Sequence, residues 1–120
     1  MNILSIAFAG LVGLASFGAA ADDLKTVASI NENMATLVGQ TISAQGKVVK
    51  VNNGIMKRNF VHVQDGTGSA TTNKLIATSK QTANVGDQVT ISGVVVLNRD
   101  FGGGYAYPLL IEDASIVVNK

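Results

Sequence analysis

The chain has 120 residues, nine Lys/Arg against eight Asp/Glu, a formal net charge of +1 and no cysteine. That length holds one domain, and so small a charge argues against a protein that grips bare nucleic acid through a strong overall basic excess. Without cysteine there are no disulfides, no lipid-anchored lipoprotein and no cysteine-based zinc or haem attachment.

Met1 to Ala21 carries no charged side chain, and every Lys, Arg, Asp and Glu lies from Asp22 onward. An apolar run ending in Ala19-Ala20-Ala21 reads as a secretory signal peptide with an A-x-A cleavage site. Its positive end is only the Met1 amine. The same run is long enough for an uncleaved membrane anchor, but its glycine and alanine content and small-residue end favour cleavage. The expected mature domain is 22–120, periplasmic or secreted, with no stable membrane insertion after cleavage. Lacking disulfides, it depends on its core alone.

After Asp22 the spacing predicts a helix over about 26–38, with Thr26 as N-cap. Val27, Ile30, Met34, Leu37 and Val38 follow at three- and four-residue steps, and Gly39 is a natural stop. Asn31 and Asn33 weaken it, so it should need a sheet to pack against. From Thr41 the period becomes two. Ile42, Ala44, Gly46, Val48 and Lys50 share one face of a long first strand, and Gly46 marks a bend or bulge. Asn52-Asn53-Gly54 is a turn signal. Asn59 to Gln64 is a second strand, with Asn59, Val61 and Val63 opposite Phe60, His62 and Gln64. Asp65-Gly66-Thr67-Gly68 is a tight turn. A short third strand spans Lys74 to Thr78, and a fourth runs from Gln88 to Leu97. The glycine-rich hairpin Asn98–Tyr107 follows, then a fifth strand from Leu109 to Val118, broken near Asp113. Pro108 belongs at a strand start or an edge.

No α/β alternation appears, so a parallel sheet is not expected. The fold class is all-β with one short N-terminal helix. A long bent first strand and five strands in so few residues suit a small closed five-stranded barrel of the OB-fold type. An SH3-like barrel and a small sandwich are the alternatives.

The segments GKVVKVNNGIMKRNFVHVQDGTG and VGDQVTISGVVVLNRDFGGGYAYPLLIEDASI together carry a resemblance. They are similar to a family of small exported bacterial OB-fold proteins, over about Val27 to Val117. That family shares a G-K-V-V-K strand, a G-I-M turn, an N-aromatic-x-H-x-Q-D-G-T-G strand and turn, and a D-F-G-x-G-Y-x-Y-P hairpin. Phe60 stands where a Trp is common, and Lys57-Arg58 replace a less basic pair. The resemblance implies a nucleic-acid-binding OB-fold; some relatives look like proteins found with cytochrome c nitrite reductase systems. Fold alone does not assign function.

An OB-fold binds on its second and third strands, between the first–second and fourth–fifth strand loops. Here those loops are Asn52–Arg58 and Asn98–Tyr107. Gly46–Gly68 holds four of the nine basic residues, Lys47, Lys50, Lys57 and Arg58, with the only His. If Val61 and Val63 point inward, Phe60 and His62 are displayed outward beside Lys57 and Arg58. Rings that stack bases and cations that take phosphates are the minimum for single-strand binding. The ordinary alternative is that Phe60 packs under a loop and His62 merely hydrogen-bonds on the sheet. Arg99, Phe101, Tyr105 and Tyr107 are positioned to close over a strand or a glycan from the other side; alternatively, the rings cover the barrel end. The triple glycine is a poor phosphate loop, since no helix or Lys-Ser/Thr follows.

Asp65, Asp87, Asp100, Glu112 and Asp113 sit by turns and strand ends, where conformation explains them. No triad or metal cluster is visible, and Glu112-Asp113 lacks the alternating ligands of a calcium loop. The expectation is therefore a non-enzymatic binding protein without cofactor or metal. Its candidate ligand residues are Lys50, Lys57, Arg58, Phe60, His62, Arg99, Phe101, Tyr105 and Tyr107. Single-stranded DNA or RNA is the ligand the resemblance implies. The alternative is an accessory or assembly protein docking on an envelope protein partner such as a respiratory cytochrome, through its strand edges, or an extracellular structural subunit.

Overall fold

The computed structural model describes residues 24–119, so the signal peptide read over 1–21 lies outside the described residues. Two short helices come first, α1 (Val27–Glu32) and α2 (Met34–Leu37), and five strands follow. These are β1 (Thr41–Ile55), β2 (Arg58–Gln64), β3 (Leu75–Ser79), β4 (Gln88–Asp100) and β5 (Ala106–Val118). They form one sheet that closes on itself in the order β1-β2-β3-β5-β4. All pairings are antiparallel except β3 with β5.

β1 closes the ring because it serves two partners. Its first half pairs with β4 from Thr41↔Val94 to Lys47↔Gln88, and from Lys47 onward it pairs with β2. Gly46, read from the sequence as a bend or bulge, lies at the handover between the two partners. A Cβ there would stand 2.8 Å from the Gln64 carbonyl oxygen, so only glycine lets the strands approach this closely. A register shift between Val48 and Lys50 marks a bulge just beyond it.

The period-two pattern places Ala44, Val48, Val61, Val63, Ile91 and Ile111 inside the ring, each fully buried. Val27 and Ile30 of α1 join the same cluster, so the helix covers one end of the barrel-like core. Complete burial of a Val or Ile is worth roughly 1.5–3 kcal/mol, which offsets the weak propensity of so short a helix.

The chain departs from expectation in several places. The single helix over 26–38 is instead two pieces, interrupted at Asn33 with φ −114° and ψ 19°. The Asn33 side-chain amide donates to the Ser29 carbonyl at 2.9 Å, alongside its own backbone amide, a local bond that competes with regular helix. Asn52-Asn53-Gly54 is not the turn: β1 runs through it with a register shift, and Gly54 has φ 74°. The chain reverses at Met56-Lys57, both left-handed, with φ 52° and 66°. β4 and β5 extend to Asp100 and back to Ala106, so the hairpin projects further and its tip is shorter. Pro108 lies inside this arm, in the part of β5 paired with β4 but not with β3.

Asp65-Gly66-Thr67-Gly68 does more than turn the chain. The Asp65 carboxylate accepts from the Val27 amide at 2.9 Å, and the Thr67 hydroxyl accepts from the Ala28 amide at 3.0 Å. Thr26 caps the Ser29 amide at 3.1 Å, as its position predicted. Three first-turn donors of α1 are thus satisfied, two of them from the loop after β2. Burial alone would raise the Asp65 carboxyl. Hydrogen bonds from the Thr67 hydroxyl and the Val27 and Thr67 amides outweigh it and hold the carboxyl below its ordinary value.

Candidate functional site

β2 alternates as expected: Val61 and Val63 belong to the interior cluster, and Phe60 and His62 leave the strand on the other face. Their display is where the expectation fails. Phe60 is 1% exposed and His62 is 7% exposed. The reason is the β4–β5 hairpin. Its rings do not stand across an open groove; they lie on Phe60. Tyr107 stacks on Phe60 at 5.4 Å between centroids, Phe101 meets it edge-on at 5.8 Å, and Tyr105 lies at 6.5 Å. Phe101 and Tyr107 also touch edge to face at 6.1 Å. These offset and T-shaped geometries suit the ring quadrupoles. Burial, with Tyr105 beside it, raises the Tyr107 phenol above its ordinary pKa.

The cations attach to this cluster. The Arg58 guanidinium lies 4.9 Å from the Phe101 centroid and that of Arg99 lies 4.5 Å from it, both within cation–π range. Arg99 also pairs with Glu112 at 3.3 Å. Two predicted groups, one on each hairpin, therefore meet on a single ring. Of the four rings Tyr105 is the exposed one, at 39%.

His62 stands between Lys50 of β1 and Ile76 of β3 in the register. Burial lowers its pKa to about 4, with the charges of Lys74 and Lys50 adding to the shift. It is neutral at pH 7, and its buried Nδ1 has no hydrogen-bond partner. Lys50 and Lys57 are exposed and Arg58 is half-buried; Lys50 leaves the face it shares by alternation with Val48 because a register shift lies between them. His62 is therefore part of the packed outer face and adds no charge to it.

Alternation did not point to Lys80, at the end of β3. The Asn59 side-chain amide donates to the carbonyls of Lys80 and Gln81 at 3.4 and 3.1 Å, and its oxygen accepts from the Gly54 amide at 3.0 Å. This one side chain ties the β1–β2 hairpin to the segment after β3. The available signal was an Asn at the start of a strand, where local side-chain bonding is common. Among the described residues no three His, Asp or Glu side chains gather as a metal site, and no helix is long and apolar enough to cross a membrane.

The arrangement can hold an anion against cations fixed by stacking, and it presents one accessible ring. No protein-family model matches the chain, and no curated protein matches it in sequence.

Proposed function

We propose that the chain is an exported, non-enzymatic binding protein of the OB-fold type, taking single-stranded nucleic acid mainly through its phosphates. The ring order and the long β1 shared between two partners support the fold reading. The observation that carries the ligand reading is the meeting of Arg58 and Arg99 on Phe101, between the two hairpins. Stacking on a ring fixes each guanidinium; Arg58 keeps its N–H groups for phosphate oxygens, while Arg99 shares its own with Glu112. With Phe60 covered, base stacking reduces to Tyr105, so binding is weakly selective for sequence and led by charge. The rival reading, docking on an envelope protein partner, loses one route: in a closed sheet the strand edges are largely occupied.

The test is titration of the mature protein with a labelled single-stranded oligonucleotide at low and moderate salt. Affinity should fall with a slope of roughly −0.7 per phosphate neutralised. Lys50→Glu combined with Lys57→Glu should abolish binding with little change in stability, both being exposed. Absence of binding at low salt, or salt-tolerant capture of a specific envelope protein instead, sinks the nucleic-acid reading.

A further inference from the structure

The strand ends of β2 and β3 and the irregular stretch of β5 line a hollow of about 360 Å³. Its charged lining is Lys57, Arg58 and Lys80 against one carboxylate, Asp113. Lys57 and Lys80 have no ion-pair partner among the described residues. Lys80 belongs to this hollow and not to the ring cluster described above.

Its walls are fixed. Asn59 binds the Lys80 and Gln81 carbonyls to the β1–β2 hairpin. The Ser79 hydroxyl donates to the Ala114 carbonyl and accepts from the Gln81 amide, and the Gln81 side-chain oxygen accepts from the Ile116 amide at 2.7 Å. Arg58 is held by the Phe101 ring. Lys57 occupies a left-handed turn position, φ 66°, with Met56 before it at φ 52°; such positions favour Gly or Asn. A lysine kept there, against the conformational preference, stands at the rim of a hollow that already holds two cations. Strain of this kind collects at working sites.

We propose that this hollow receives a terminal phosphate monoester, which under the reading above is the phosphorylated end of a bound single strand. The inference rests on that reading for the rest of the ligand. An internal phosphodiester carries a single charge, whereas a terminal monoester carries −1.5 to −2 at neutral pH and three acceptor oxygens. Three cations, two from the β1–β2 hairpin and Lys80 from the segment after β3, match the latter. Arg58 is shared with the ring cluster, so the strand would continue from the hollow onto that face.

The experiment compares oligonucleotides of one sequence carrying a 5′-phosphate, a 3′-phosphate or neither. One phosphorylated form should bind about tenfold more tightly than the unphosphorylated strand, the gain of one well-placed charge-assisted contact. Lys80→Ala should erase that difference and retain binding of the unphosphorylated strand. Inorganic phosphate, titrated alone and followed by amide chemical shifts, should move Lys57, Lys80 and Gln81 first. Equal affinity for all three strands overturns the phosphate hollow and leaves the groove reading standing. Failure of every strand to bind overturns the groove reading and this inference together. A preference that survives Lys80→Ala places the terminal phosphate elsewhere and overturns the assignment.

Discussion

Val61 and Val63 leave β2 in one direction and Phe60 and His62 in the other, yet all four are buried. The inner pair is covered by the closed sheet, in a wholly apolar cluster. The outer pair is covered by a hairpin and by neighbouring side chains, among groups of mixed character: two guanidiniums on a ring and a histidine with an unpartnered nitrogen. Equal burial therefore hides unequal chemistry. The inner face holds apolar groups alone, whereas the outer face also carries charged and titratable ones.

The sharpest way to break this comparison is Phe60→Ala. If the ring cluster is a packed layer in its own right, the variant loses about 3–5 kcal/mol in urea unfolding, as a core aromatic does. A loss below about 1 kcal/mol would show the rings to be a loose cover, and the two faces would no longer be comparable.

The second effect is a pH dependence that only the outer face can have. The unfolded chain takes up a proton at His62 near pH 6.5, while the folded chain resists until about pH 4. Below pH 6.5 the unfolded state therefore binds more protons, and stability falls as pH drops toward 4, by up to about 3 kcal/mol. Unfolding measured between pH 7 and 4 should show that slope, and His62→Leu should flatten it. An unchanged slope in the variant would overturn the assignment to His62, since the lowered Asp65 carboxyl loses its contribution only at pH below this window.

A smaller effect separates both faces from the helix cap. Asp65→Ala removes the acceptor of the Val27 amide and should cost about 1–2 kcal/mol. Hydrogen exchange should quicken at Val27 and Ala28 while the tyrosine near-UV signal stays unchanged. The smallest is at the rim of the outer face. Lys57→Gly relieves a left-handed lysine and should stabilise by about 1 kcal/mol, while weakening binding of oligonucleotide. A variant that is both more stable and a poorer binder would show that the turn keeps its lysine for the ligand.

Much of the framework could be read from residues. Alternation gave the five strands, the Thr26 cap and the facing of Val61 and Val63, because these rest on local periodicity and short-range hydrogen bonding. An irregularity at Gly46 was legible because glycine interrupts an otherwise regular strand; that it marks the handover of β1 between two partners was not. The burial of Phe60 was not legible, since period two tells which way a side chain leaves the sheet and not what lies above it. That depended on how far the β4–β5 hairpin projects, and its strands reach Asp100 and Ala106, inside the stretch Asn98–Tyr107 read as connection. The reversal at Met56-Lys57 was missed because Asn52-Asn53-Gly54 carries the stronger turn chemistry. The pairing of β1 with β2 overrode that preference. Lys80 and the hollow beside Lys57 depend on contacts between distant segments, for which a single chain offers no periodic signal.

The cap that Asp65 and Thr67 place on α1 spans 38 and 39 residues of chain. A six-residue helix cannot nucleate by itself in water, and its first-turn donors find two of their acceptors only when the loop after β2 is in place. The earliest described segment is consequently among the last to be fixed. During refolding, protection at Val27 and Ala28 should arrive with the sheet and never before it, so that the order of assembly runs against the order of synthesis.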